Sequence, residues 1–136
     1  MARLDVPDGP GGEAAMIWTL RPQLGDMVER MTRGAYQQSV LPPDEGELAR
    51  MRIAQINDCV ACSDFRAPSV LEAGVTPELY ENVAAYASYP GYTPRQRLAI
   101  EYAERFANDH ESIDDAFFER RSLTVLGVDQ SCAIDV

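Results

Sequence analysis

Apolar positions along this chain recur three and four residues apart for most of its length. Leu20, Leu24, Met27, Val28, Met31 and Ala35 form such a stripe and predict an amphipathic helix over 22–38, which Pro42-Pro43 ends. Asp44 opens a second helix with Leu48, Met51, Gln55 and Ile56 on its inner face, and Asp44 and Glu47 stand in capping-box spacing. Asn57-Asp58 interrupts it. Cys59-Val60-Ala61-Cys62 then begins a third helix towards Glu72, closed by Gly74 as a C′ glycine. Thr76-Pro77 pairs an N-cap with proline at the first helical position and opens a fourth helix, carrying Leu79, Tyr80, Val83, Ala84 and Ala87. After a turn at 89–92, Thr93-Pro94 repeats the signal with Gln96 in capping-box position, and Leu98, Ala99, Tyr102, Ala103 and Phe106 follow. Ser112 caps a last short helix through Phe117 and Phe118.

Residues 1–12, rich in Gly and Pro, read as an extended arm, and 120–136 as an irregular, shortened C-terminal tail. Only 123–128 has any strand character, and that stretch is short and contains glycine. The expected fold is all-α: a helical bundle of about six helices with a Cys-x-x-Cys at a helix N-terminus, without repeats. The length of 136 residues suits a single domain over 1–136.

Charge narrows the partners. Twelve arginines and no lysine face twenty-two acidic residues, for a net charge of −10. Such a chain has no basic surplus for a nucleic-acid backbone or an anionic membrane surface. No apolar run approaches the ~18–20 residues of a membrane span, and 1–12 has no signal-peptide core. Its three cysteines therefore read as cytoplasmic thiols.

Cys59 and Cys62 are the candidate chemistry. Three positions apart on a helix, they share one face, and a helix start near Asp58 favours thiolate over thiol. One sulfur can attack and the other resolve the product as a disulfide. A lone Cys-x-x-Cys also fits a structural zinc site or two core cysteines. Zinc normally wants four ligands, and only His110 and Cys132 remain, both distant in sequence.

The segment Glu47-Leu48-Ala49-Arg50-Met51-Arg52-Ile53-Ala54-Gln55-Ile56-Asn57-Asp58-Cys59-Val60-Ala61-Cys62 resembles the signature of the carboxymuconolactone decarboxylase superfamily, more narrowly its alkylhydroperoxidase D-like branch. Tyr92-Thr93-Pro94-Arg95-Gln96-Arg97-Leu98-Ala99 resembles the same branch's next helix start. The resemblance implies an all-helical, oligomeric protein and a thiol peroxidase reducing hydroperoxides through the cysteine pair. It places the site's Glu on Glu47, the resolving cysteine on Cys59 and the peroxidatic one on Cys62. Where the branch carries His, this chain has Arg66, which can hold a thiolate by charge but cannot shuttle protons. Lactone decarboxylation, the chemistry in the superfamily's name, does not work through a Cys-x-x-Cys pair.

Each residue also has a plainer role. Glu47 can close the capping box with Asp44, and Arg66 can pair with Asp64 or Glu72 on a solvated face. Gln55 and Asn57 can satisfy backbone groups at the interhelix break, His110 can sit at a helix end, and Cys132 can be an apolar filler or a disordered thiol. The expected function is a thiol-dependent peroxidase or disulfide reductase, an antioxidant oxidoreductase of peroxiredoxin type with Cys62, Cys59, Glu47 and Arg66 at its site. It needs a hydroperoxide and a dithiol reductant but no metal or organic cofactor. The alternative is a weakly active or inactive helical oligomerisation or binding module with a redox-sensitive dithiol. Either would be a homo-oligomer (dimer, trimer or hexamer), because the shortened tail leaves apolar surface for a partner chain.

Overall fold

The computed structural model describes residues 4–66, 70 and 72–125, with 121–125 described for their backbone alone. Cys132 and the rest of 126–136 lie outside the described residues, as do residues 1–3. Every regular element among the described residues is helical: seven α-helices and three 3-10 turns. Packing divides the chain into two compact units, Met1–Val40 and Leu41–Val136.

In the first unit, Gly11 takes a left-handed φ of 83° ahead of α1 (Gly12–Met16), so the expected arm gives way to helix at its last residue. A 3-10 turn (Ile17–Leu20) leads into α2 (Pro22–Gln37), with Pro22 at a position whose N–H would be unsatisfied anyway. The expected apolar stripe lies along α2, yet none of its residues is buried, and Met31 is 70% exposed.

The second unit is built on α3 (Pro43–Ile56) and α6 (Pro94–Asn108). Asp44 accepts from Gln96 Nε2 at 2.8 Å, Glu45 pairs with Arg95 at 2.6 Å, and Glu104 accepts from Arg52 at 3.0 Å. From Asp44–Gln96 to Arg52–Glu104 both helices advance by eight residues, so α3 and α6 run in the same direction. Leu48, Met51 and Ala54 of α3 meet Ile100 of α6 in a core completed by Val70, Val75, Tyr80, Val83 and Tyr92. Between the two helices lie α4 (Val60–Asp64), α5 (Pro77–Glu81) and a 3-10 turn (Val83–Ala85); a 3-10 turn (His110–Ser112) and α7 (Asp115–Val125) follow.

Local chemistry sets the boundaries. Thr76 Oγ1 accepts from Leu79 N–H at 3.4 Å, and Thr93 and Gln96 form the expected capping box, with bonds of 3.2 and 2.9 Å. The Asp44–Glu47 box does not form. Pro42 is the N-cap of α3 and offers no side-chain acceptor, and both carboxylates turn to tertiary partners. The fourth helix ends at Glu81, short of Ala87, because Asn82 Nδ2 donates to the Glu78 carbonyl at 2.8 Å and the chain tightens to 3-10. Asp114, not Ser112, caps α7: its Oδ1 accepts from Phe117 N–H at 2.8 Å, while the Ser112 hydroxyl bonds to the Asp109 carbonyl. Residues 123–125 belong to α7, not to a strand, and 120–125 are therefore helical where an irregular tail was expected.

Candidate functional site

The site begins with the way α3 ends. Asp58 takes a left-handed φ of 49°, a conformation that Asp and Asn tolerate better than most side chains. Its N–H bonds to the Gln55 carbonyl at 3.2 Å, and Cys59 N–H bonds to the Ala54 carbonyl at 2.9 Å. This is the paired closure of a Schellman motif. It turns the chain so that Cys59, having closed α3, becomes the N-cap of α4, where its sulfur accepts from Cys62 N–H at 3.3 Å. The two sulfurs are joined in a disulfide across a Cα–Cα distance of 5.3 Å. Cys62 is exposed and Cys59 half-buried. The helix beyond Cys62 is short: Phe65 is extended, and α4 stops at Asp64 instead of running towards Glu72.

Seven and ten residues before Asn57, α3 presents Arg50 and Glu47 to this segment. The Glu47 side chain is 0% exposed, and Arg50 holds it bidentately, Nε to Oε2 at 2.7 Å and Nη2 to Oε1 at 2.6 Å. Tyr80 from α5 donates its hydroxyl to Oε1 at 2.9 Å. Burial pushes the Tyr80 phenol up to about 12, helped by the hydrogen bond to Glu47 and its charge, and opposed by Arg66 and Arg50. Arg50 also donates to the carbonyls of Cys62 and Phe65, the latter at 3.0 Å, and lies over the Phe65 ring. One guanidinium thus ties a buried carboxylate to the backbone of the cysteine segment.

Arg66 stacks on the other side of the same group. Its guanidinium carbon lies 3.9 Å from the centre of the Tyr80 ring, and Nη1 donates to the carbonyls of Ser63 and Phe65. It pairs with neither Asp64 nor Glu72, the plainer partners expected from sequence. The four residues singled out in sequence therefore meet through two that were not: Arg50 links Glu47 to Cys62, and Tyr80 links Glu47 to Arg66. Only the i, i+3 spacing of Glu47 and Arg50 hinted at the first link; nothing local marked the second. Asn57 forms the C-cap of α3 at the interhelix break, whereas the Gln55 side chain, expected to serve backbone groups there, turns back along α3, its Oε1 accepting from Arg52 Nη1 at 3.4 Å. His110 is exposed in the 3-10 turn after α6. Among the described residues no three His, Cys, Asp or Glu side chains come together as a metal site, and no helix is long and apolar enough to cross a membrane.

Comparison with known families decides the lineage, because the carboxymuconolactone decarboxylase family model matches residues 22–105, from α2 through most of α6. The chain belongs to that family. The carboxymuconolactone decarboxylase match includes the whole α3–α4 segment and therefore both cysteines, Glu47, Arg50 and Arg66. The chain is also similar to the uncharacterized protein YnjA of Escherichia coli (strain K12), with 31% identity over 97 residues, 66% of this chain and 53% of the relative. It thus spans about half the length of the curated relative it matches. No solved structure matches the chain.

Proposed function

We propose that the chain is a dithiol oxidoreductase of the alkylhydroperoxidase D-like branch, reducing hydroperoxides through Cys62 and Cys59. The observation that carries this reading is the disulfide between an exposed Cys62 and a half-buried Cys59, tied by Arg50 to the buried Glu47. In the reduced protein the Cys62 thiolate attacks the outer peroxide oxygen. The O–O bond breaks, Cys62 becomes a sulfenic acid, and the alkoxide leaves and takes a proton as an alcohol. The Cys59 sulfur then attacks Cys62, forming the disulfide and releasing water. A dithiol reductant restores both thiols and is itself oxidised to a disulfide. Glu47 is the candidate proton acceptor and donor, with Arg66 standing beside it as a fixed cation where the branch has a titratable His. The exposed stripe on α2 supports a homo-oligomer. The proposed setting is the cytoplasm, where such a reductant is at hand.

One observation favours the second reading, a weakly active or inactive binding module with a redox-sensitive dithiol. Both Glu47 oxygens are already held by Arg50 and Tyr80, and an arginine, which is no proton shuttle, stands at position 66. Peroxide consumption driven by a dithiol reductant separates the two. Turnover by the wild type that Cys62→Ser abolishes supports the enzyme; no turnover, with the disulfide still forming once per chain, supports the module.

A further inference from the structure

Two half-buried arginines of the second unit, Arg66 and Arg97, pair with no carboxylate among the described residues; Arg97 donates to the Tyr89 carbonyl, and Arg66 alone of the two lies beside the dithiol. Arg50, Arg52, Arg95, Arg105 and Arg120 each pair with a glutamate. Arg66, half-buried in a chain of net charge −10, has no carboxylate partner among the described residues. Its position is nonetheless fixed. The plane rests on the Tyr80 ring, and Nη1 is spent on the carbonyls of Ser63 and Phe65, just beyond Cys62. No described residue bonds its Nε or Nη2, and that edge of a guanidinium is the fork that matches a carboxylate. Ser63, whose carbonyl it holds, directly follows the exposed Cys62.

We propose that Arg66 is the recognition group of the dithiol site, and that the oxidant reduced there carries a carboxylate. This rests on the dithiol reading above and adds the charge of the substrate to it. A guanidinium held in advance by a ring and two carbonyls loses little freedom when it takes up a carboxylate. The same cation acting only as counter-ion to the Cys62 thiolate would serve neutral and anionic oxidants alike, and this is the difference an experiment reads.

The test uses reduced full-length protein with Cys132→Ser in every sample and two aromatic disulfides as probes. Dithiobis-nitrobenzoate carries a carboxylate on each ring; dithiodipyridine carries none. With either, the Cys62 thiolate attacks one sulfur and expels an aryl thiolate. Cys59, its proton lost to solvent, then displaces the second aryl thiolate from the mixed disulfide and closes the Cys59–Cys62 bond. Stopped-flow absorbance gives both rates. Arg66→Gln is expected to slow the anionic probe about tenfold more than the neutral one, and Arg66→Lys to recover part of that difference. Added salt should erode the preference in wild type and not in Arg66→Gln. Equal slowing of both probes overturns the proposal. Should Arg66→Gln fail to fold, the wild-type salt series decides, and a preference that salt leaves unchanged overturns it. A reduced protein that forms no Cys59–Cys62 disulfide with either probe, read by mass spectrometry, overturns the dithiol reading itself.

Discussion

Replacing Tyr80 with Phe removes one oxygen and one hydrogen bond from the heart of the site, and the loss has a distinct dependence on pH. The hydroxyl donates to Glu47 Oε1 at 2.9 Å, and Tyr80 is 9% exposed. A hydrogen bond to a charged group contributes about 1.5–3 kcal/mol, and the substitution leaves no donor stranded while Arg50 keeps both its bonds to Glu47. Proton linkage gives the pH dependence, with burial the largest cause of the phenol's shift and the hydrogen bond to Glu47 the next. The phenol titrates near 10.0 unfolded and at about 12 folded, so between those values the folded state holds a proton that the unfolded state has released. Stability therefore falls as pH rises through this window. Urea unfolding followed by circular dichroism should find Tyr80→Phe less stable than wild type by about 2 kcal/mol at pH 8. That gap should close as pH approaches the folded phenol's value. Tyr92, also pushed up to about 12 by burial and by Tyr89, contributes to both proteins and cancels in the difference. A gap that stays constant from neutral pH to the alkaline limit would refute the placement of the phenol on Glu47.

Arg50→Ala should cost about 3 kcal/mol in urea unfolding, the low end for a broken buried pair because the Arg50 side chain is 23% exposed; Arg50→Lys, which keeps the charge and loses the fork, should recover less than half. Asp58→Gly relieves the left-handed φ of 49° and should raise stability by about 0.5–1 kcal/mol, whereas Asp58→Val should lower both stability and the yield of the disulfide. In the reduced protein, substoichiometric iodoacetamide should label the exposed Cys62 ahead of Cys59, as peptide mass spectrometry would read; the reverse order exchanges their roles. Arg66→His places a group that titrates near neutrality against Tyr80. Dithiol-driven turnover of a neutral hydroperoxide, which makes no use of a carboxylate-binding Arg66, should rise several-fold, and a flat or lower rate moves the weight to the binding-module reading.

What the sequence revealed followed the range of the forces involved. Thr93 and Gln96 cap α6 as their spacing requires, because both bonds run between residues three apart. Pro22, Pro43, Pro77 and Pro94 all fall at helix starts, since a missing N–H is tolerated there and almost nowhere else in a helix. Local competition was harder to read. Asn82 and Glu81 look equally helical until Asn82 turns back on Glu78, and Asp44 looks like a cap until Gln96, far along the chain, claims its carboxylate. Tyr80 sits on an apolar stripe and is buried as expected, but which way its hydroxyl points depends on a residue of another helix. Arg50 escaped for the same reason: its partners at Cys62 and Phe65 become neighbours only after Asp58 has reversed the chain.

That reversal also bears on what happens when the disulfide opens. The backbone of the pair is held at both ends by bonds in which no sulfur takes part: Cys59 N–H on the Ala54 carbonyl, and Arg50 on the carbonyls of Cys62 and Phe65. Reduction removes the S–S bond and leaves these in place. The Cys62 N–H that now meets a disulfide sulfur at 3.3 Å meets a thiol or thiolate instead, and a charged acceptor makes the stronger hydrogen bond. The two cysteines therefore stay at the separation from which the bond was made, so that closing it again requires rotation of side chains and no search by the chain. A segment held this way needs little of the helix propensity that a five-residue helix cannot supply by itself. Its geometry is borrowed from α3, through a left-handed aspartate at one end and an arginine anchored on a buried glutamate at the other.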